Sequence, residues 1–284
     1  MRLEYYSDIG RFMNETFDIL LENEIENNLL IGNCLKGKEG LDTSKWFMAA
    51  VKDRSGTVRL IALMTPPFNL CLCRNGTGQN NGVLDFFARE LASQKVAVPG
   101  IFAEKSLAAA FSGIFPTETD KKISKITNMR LFQLDQVRDI PISSGRLRQA
   151  AEQDLNFLPY WDVHFSLDCG FEGVDVSSSA VRVKNAILSE ALYVWEDSYP
   201  VSQAGVGRKT PNGAVVTHVY TPPYFRGMGY ASSCVAGLSR HLLESGNRFC
   251  ILFTDLANPV SNSIYMKIGY QPLSDFAEYR YAER

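Results

Sequence analysis

Val215-Val216-Thr217-His218-Val219-Tyr220-Thr221-Pro222-Pro223-Tyr224-Phe225-Arg226-Gly227-Met228-Gly229-Tyr230-Ala231 is the stretch on which the fold turns. Its β-branched opening predicts a strand over Ala214–Thr221, which the two prolines end. Apolar residues then recur at Ala231, Val235, Leu238 and Leu242, a helical spacing that predicts a helix over Gly229–Glu244 with Gly246 just past its end. The first turn of a helix presents N–H groups with no intrahelical partner, and the aligned peptide dipoles make that end positive. Glycines there let the backbone come close to an anion and take up φ > 0, and Arg226 adds a cation. The corner Arg226–Ala231 therefore reads as a pyrophosphate cradle. The plain alternative is an ordinary strand–turn–helix corner.

Just downstream, Phe249–Thr254 reads as a strand, followed by Asp255-Leu256-Ala257-Asn258-Pro259. Asn is a good helix cap and Pro is favoured at the first helical position, so a helix is predicted over Pro259–Ile268, closed by Gly269. Asn258 and Tyr265 lie seven residues apart on that helix. At about 100° per residue they return to nearly the same face, about 10 Å apart along the axis. An amide and a phenol so placed can serve one ligand; separately they are a cap and a half-buried aromatic.

Working outward, apolar spacing predicts a helix within Ile9–Leu30. Strands follow at Trp46–Lys52, Val58–Met64 and Phe68–Cys73, the first two joined by the turn Asp53-Arg54-Ser55-Gly56. A Gly/Asn-rich loop spans Arg74–Gly82. Then come a helix at Val83–Lys95, a strand at Gly100–Ala103, a helix at Ser106–Phe115 and a strand at Thr127–Leu134. Arg138–Arg146 has linker composition. Beyond it, helices are predicted at Leu147–Leu158 and Ser178–Leu188, strands at Ala191–Glu196 and Val201–Gly207, and a last strand at Phe276–Tyr281. Both halves share one order: helix, three strands, helix, strand, helix, strand. The expected fold class is α/β (α+β), with two mixed-sheet domains, 1–140 and 141–284, and helices on both faces of each sheet.

Composition narrows the function classes. The 284 residues carry a net charge of -2, from 29 Lys+Arg against 31 Asp+Glu, so no basic field for duplex nucleic acid is expected. With 45% apolar residues the chain can build packed cores. No apolar run is long enough for a membrane helix, and the acids near the N-terminus do not suit a signal peptide, so a cytoplasmic location is expected. Cys34, Cys71, Cys73, Cys169, Cys234 and Cys250 form no CxxC pair, and His164, His218 and His241 are far apart. Reduced thiols and no metal site follow as expectations.

Tyr224–Ala231 resembles the Q/R-x-x-G-x-G/A signature of the GNAT superfamily of acetyl-CoA-dependent N-acetyltransferases, with Tyr224 departing from Gln/Arg at its first position. Asn258 through Tyr265 to Gly269-Tyr270 resembles the second motif of that family. Together they occupy the C-terminal third of the chain. The resemblance implies acetyl-CoA as co-substrate, with backbone groups of Val219, Tyr220 and Thr221 offered to the pantetheine arm. Arg226, Gly227, Met228, Gly229, Tyr230 and Ala231 would surround the pyrophosphate, Asn258 would bond the pantetheine, and Ser261 joins the cofactor-binding set. It also implies Tyr265 as general acid to the departing sulfur and an oxyanion donor near Val219. Family members often use a Glu base on the central strand, and none stands there. His218 is the leading candidate, Glu196 the next, and a water chain the third.

The first half lacks both motifs. It is expected not to bind CoA, and to shape an acceptor cleft or a dimer contact. A primary amine, on a small molecule or a peptide, is the expected acceptor; a monomer or homodimer, without nucleic-acid or membrane partners, is the expected state. Tyr160, Trp161 and Phe165 suit core packing or a cleft lining. Two rival readings stand beside this one. The first is a dinucleotide site, from the GxGxxS string at Gly227 with Asp255 further on; it lacks the third glycine and the chain length for the full fold. The second is a CoA-binding regulator without catalysis.

Overall fold

The computed structural model describes residues 1–76, 81–170 and 173–284. Part of the loop predicted at Arg74–Gly82 lies outside them. The first half runs β1 (Arg2–Tyr5), α1 (Ile9–Leu21), α2 (Asn28–Lys38), β2 (Phe47–Lys52), β3 (Val58–Met64), β4 (Leu70–Arg74), α3 (Asn81–Ser93), β5 (Gly100–Glu104), α4 (Lys105–Ile114) and β6 (Lys121–Leu134). The second runs β7 (Arg146–Gln149), α5 (Leu158–Asp168), α6 (Val176–Leu188), β8 (Leu192–Asp197), β9 (Tyr199–Lys209), β10 (Gly213–Tyr220), α7 (Tyr230–Glu244), β11 (Phe249–Asp255), α8 (Pro259–Ile268) and β12 (Gln271–Glu283). The two halves repeat one order of elements, as the sequence patterns predict, and each opens with a short strand the patterns did not show.

Two predicted helices are redrawn. The single helix expected within Ile9–Leu30 is broken after Leu21, where Asn27 Nδ2 donates to the carbonyl of Leu20 (2.9 Å) and ties off α1. The helix expected at Leu147–Leu158 is instead β7 and a 3-10 turn, and the helix begins where it was expected to end. Pro159 sits in the first turn of α5, the one helical place that loses nothing by its missing N–H. Arg146 to Gln149, polar apart from Leu147, pair antiparallel with β8 from Arg146↔Glu196 to Gln149↔Tyr193.

The chain forms two compact units, the first of residues 1–131, 254–258 and 273–284, the second of 132–253 and 259–272. The single boundary expected at 140/141 is therefore replaced by a cut within β6 and two late returns. The physical reason is β12: it pairs antiparallel with β5, Phe276↔Glu104 through Arg280↔Gly100, so the end of the chain completes the sheet of the first unit. In that unit the strands lie in the order β1-β2-β3-β4-β5-β12; in the second the order is β11-β10-β9-β8-β7.

Strand alternation places a core on each face. In the first unit, Ala49, Val51, Leu60, Ala62, Leu70 and Leu72 meet α3 and α4. The intervening Met48, Ala50, Ile61, Leu63, Cys71 and Cys73 meet α1 and α2. In the second unit, Ala214, Val216, Cys250 and Leu252 pack beneath α7 and α8, while Leu192 and Val194 pack with Leu158 and Val183 on the other face. None of the six cysteines is in a disulfide, and Cys169 alone among them is exposed. No helix of the described residues is long and apolar enough to cross a membrane.

Candidate functional site

The site builds from the way β10 leaves its neighbours. Its parallel pairing with β11 runs Gly213↔Phe249, Ala214↔Cys250 and Val215↔Ile251, and stops there, while β10 continues to Tyr220. On its other side, pairing with β9 slips between Val215 and Val216 and again between Thr217 and Tyr220. Such bulges bend a strand and re-aim its side chains. His218 stands at the second slip with φ +51°, a left-handed backbone that is costly for a residue with a Cβ. Gln203 Nε2 fixes this backbone by donating to the His218 carbonyl (3.2 Å).

At the far end of β10 a 3-10 turn, Pro223–Phe225, leads into the glycine corner. Gly227 and Gly229 both have φ +82°, and Gly229 stands at the N-cap of α7 with no side chain capping the helix. A Cβ at Gly227 would meet open space, whereas one at Gly229 would lie 2.7 Å from Ser143 Oγ. Ser143, from the segment predicted to be the linker, closes one side of the corner. Its hydroxyl donates to the Met228 carbonyl (2.8 Å), and its N–H donates to Ser233 Oγ (2.9 Å). The corner thus presents uncapped first-turn amides, the arrangement an anionic group requires.

The other predicted residues fall into three groups. Tyr220 and Thr221 are buried at the end of β10, Thr221 Oγ1 sharing a hydrogen bond with Ser202 Oγ (2.8 Å), and Val219 packs half-buried against the α7 core. Arg226 donates to the Thr221 carbonyl (2.9 Å), pairs with Asp168 of α5 (2.8 Å), and lies over the Tyr220 ring. Tyr224 and Met228 are exposed; Tyr230 donates to Asp197 Oδ2 (2.7 Å). On α8, Ser261 is half-buried one turn ahead of Tyr265, which is buried between Phe132 and Tyr270. Burial pushes the Tyr265 phenol well above its ordinary range, and the Cys169 thiol acts in the same direction. Asn258 is exposed just ahead of α8, its N–H donating to the Asp255 carbonyl (3.0 Å).

The two candidate bases differ sharply. Glu196 is bound by Arg148 (2.8 Å) and Arg146 (3.7 Å), and so serves as the clasp of β7 on β8. His218 stands over Phe165 (ring centroids 5.1 Å apart) with 45% of its side chain exposed. Its pKa is lowered, first by burial, with Arg182 and Arg208 adding to the effect and Asp162 opposing it. Of the α5 aromatics, Phe165 meets His218, Trp161 packs on Phe157 and Tyr220, and Tyr160 is exposed. Sequence reading missed Ser143, Asp162 and Arg182. An acid within the aromatic run of α5 was the one available signal.

The comparisons with known proteins bear on the fold. Residues 202–281 match the family model described as FR47-like protein. No curated protein matches the chain. Over 99% of its length the chain is similar to a GNAT-family acetyltransferase from Colwellia psychrerythraea, at 10% identity and TM-score 0.62, covering 100% of that chain. A GCN5-related N-acetyltransferase from Sphaerobacter thermophilus matches at 12% identity and TM-score 0.62, with 99% of this chain and 95% of that one covered. A tandem GNAT protein from the clavulanic acid biosynthesis pathway matches at 13% identity and TM-score 0.60, with 99% and 98% covered. At such identities the likeness is one of fold, and that fold is the GNAT fold, in line with two GNAT-like halves.

Proposed function

We propose that the second unit transfers an acetyl group from acetyl-CoA to a primary amine by direct attack. The observation that carries the reading is β10 parting from β11 after Val215 and ending at an uncapped helix with two left-handed glycines. An extended ligand arm can add to a parted strand edge by main-chain hydrogen bonds, and a diphosphate suits the amides at the start of α7. The residues present fit CoA: the space a Cβ would fill at Gly229 is bounded by Ser143, so backbone alone can line it. Val219, Tyr220 and Thr221 would hold the arm, and Gly227 to Ala231 the diphosphate, with Arg226 released from Asp168 or bridging to it. Asn258 and Ser261 stay in the proposed cofactor-binding set. Acetyl-CoA brings the activated acyl carbon, as a thioester.

The chain's own groups then have definite work. An amine has an ordinary pKa near 10.4 and must lose a proton before it attacks. His218, whose pKa is lowered, accepts it. Backbone N–H groups at the bulge near Val219 face the developing oxyanion. Tyr265, held protonated by burial, donates its phenolic proton to the departing sulfur. Release of free thiol from acetyl-CoA across a panel of primary amines tests the proposal. Steady, amine-dependent thiol release is expected; acetyl-CoA binding without turnover on any amine would leave the CoA-binding regulator in its place.

A further inference from the structure

Beneath His218 lies a charged pair that plays no part in the mechanism above. Asp162, in the second turn of α5, has a side chain only 6% exposed. Its Oδ2 accepts two hydrogen bonds from Arg182 of α6, from Nη2 (2.7 Å) and Nε (3.2 Å). The same Nη2 donates to the fully buried Ser179 Oγ (2.7 Å). That clamp occupies one carboxylate oxygen and leaves the other, Oδ1, 3.9 Å from His218 Nε2. The imidazole reaches this place because of the left-handed backbone at the bulge, and Phe165 flanks its ring. A buried carboxylate is costly unless paired, and Arg182 supplies that pairing from one side only. The geometry points to Asp162 as the positioning residue of the base: from 3.9 Å, beyond hydrogen-bond range, its Oδ1 favours the Nε2–H form of the imidazole electrostatically and leaves Nδ1 for the incoming amine, while Arg182 fixes the carboxylate. This inference rests on the reading of His218 as base.

Two charges of opposite sign next to one imidazole must move its titration in opposite directions. The charged groups facing His218 are Asp162 from α5, Arg182 from α6 and Arg208 from β9. Asp162 favours the imidazolium; Arg182 and Arg208 disfavour it. Asp162→Asn therefore lowers the pKa of His218, and Arg182→Gln raises it.

The test is an NMR titration of the full chain labelled at histidine, followed beside the pH dependence of kcat/KM. There are only three His, and His218→Gln assigns the signal. The expected result is a shift of about half to one pH unit downward for Asp162→Asn and upward for Arg182→Gln, with the acid limb of kcat/KM moving in step. Asp162→Asn should also lower kcat about tenfold, with Asp162→Glu restoring part of it. Arg182 is half exposed, so Arg182→Gln keeps the question open if Asp162→Asn fails to fold. An imidazole titration unmoved by Arg182→Gln overturns the coupling itself. A titration that moves while the kcat/KM limb stays in place overturns the assignment of His218 as base, and the inference with it.

Discussion

The corner between β4 and α3 and the corner between β10 and α7 occupy the same place in two copies of one order of elements. In both, the strand runs past its parallel partner: β4 pairs with β5 only at Leu70 and Cys71 but continues to Arg74, and β10 outruns β11 by a longer stretch. The differences are local. β4 pairs with β3 in unbroken register from Leu63↔Cys71 to Leu60↔Arg74, whereas β10 is bulged twice. The seventh residue of α8 is Tyr265; the seventh of α4 is Phe111, buried against Phe87 and Phe115. A parted pair of strands therefore belongs to the scaffold. What the second copy adds, among the described residues, is a re-aimed histidine and a hydroxyl on a buried ring.

The largest expected effect separates the two corners outright. Gly229→Glu should abolish acetyl-CoA binding measured by calorimetry, because the side chain meets Ser143, the backbone must hold φ +82° and a negative charge enters the anion site. Gly82→Glu, exposed near the start of α3, should leave binding unchanged. Loss of binding in Gly82→Glu would break the comparison and move the cofactor to the first half.

Next in size is the phenol. Tyr265→Phe should lower turnover by about 10- to 1,000-fold with little change in acetyl-CoA affinity, as loss of a general acid does. The reverse change in the other half, Phe111→Tyr, should bring no activity. It should destabilise the fold by about 1–3 kcal/mol, since the new hydroxyl is buried among Phe87 and Phe115. Unchanged turnover in Tyr265→Phe, followed by thiol release, would remove the phenol from the chemistry.

The halves also differ in how far the sequence disclosed them. The corner at Gly227 and Gly229 was legible because glycine, proline and the helical period act locally, and the structure gives both glycines the positive φ that the reading required. The repeated order of elements was legible for the same reason. Four things were not. The short strands β1 and β7 carry too few residues for a period to show. β12 joins the first unit because of pairing with a strand far back in the chain, and local pattern does not encode such contacts. Asp162 and Arg182 meet across two helices, so neither announces the other in sequence. The bulge that lifts His218 is likewise a product of pairing, which is why the sequence leaves the histidine as one base candidate among three.

A smaller effect comes from pH. The surroundings of His218, first its partial desolvation and then Arg182 and Arg208 against Asp162, lower its pKa below the usual value near 6.5. The acid limb of kcat/KM should accordingly fall below pH 6.5, activity being lost as pH drops through the depressed value. His218→Gln should erase that limb. A limb well above pH 7 would point to a water chain, or to the amine itself, in place of the histidine.

The smallest effect concerns Arg226, which lies beyond the turn that follows β10, whereas the arginine of the other corner, Arg74, is the last residue of β4. Arg226 and Asp168 are both about half exposed, so their ion pair contributes at most about 1 kcal/mol to stability, and Arg226→Met should fold normally. If the guanidinium also assists the diphosphate, its loss should raise the KM for acetyl-CoA about three- to tenfold and flatten the dependence of KM on salt, because one screened charge contact is gone. Asp168→Asn should act oppositely, freeing the guanidinium and lowering KM by a smaller factor. Arg74→Met, at the end of β4, should change neither quantity. Equal KM values for Arg226→Met and the unaltered chain would assign Arg226 to holding α5 against Thr221 and Tyr220. The whole of the anion affinity would then belong to the main-chain amides of the glycine corner.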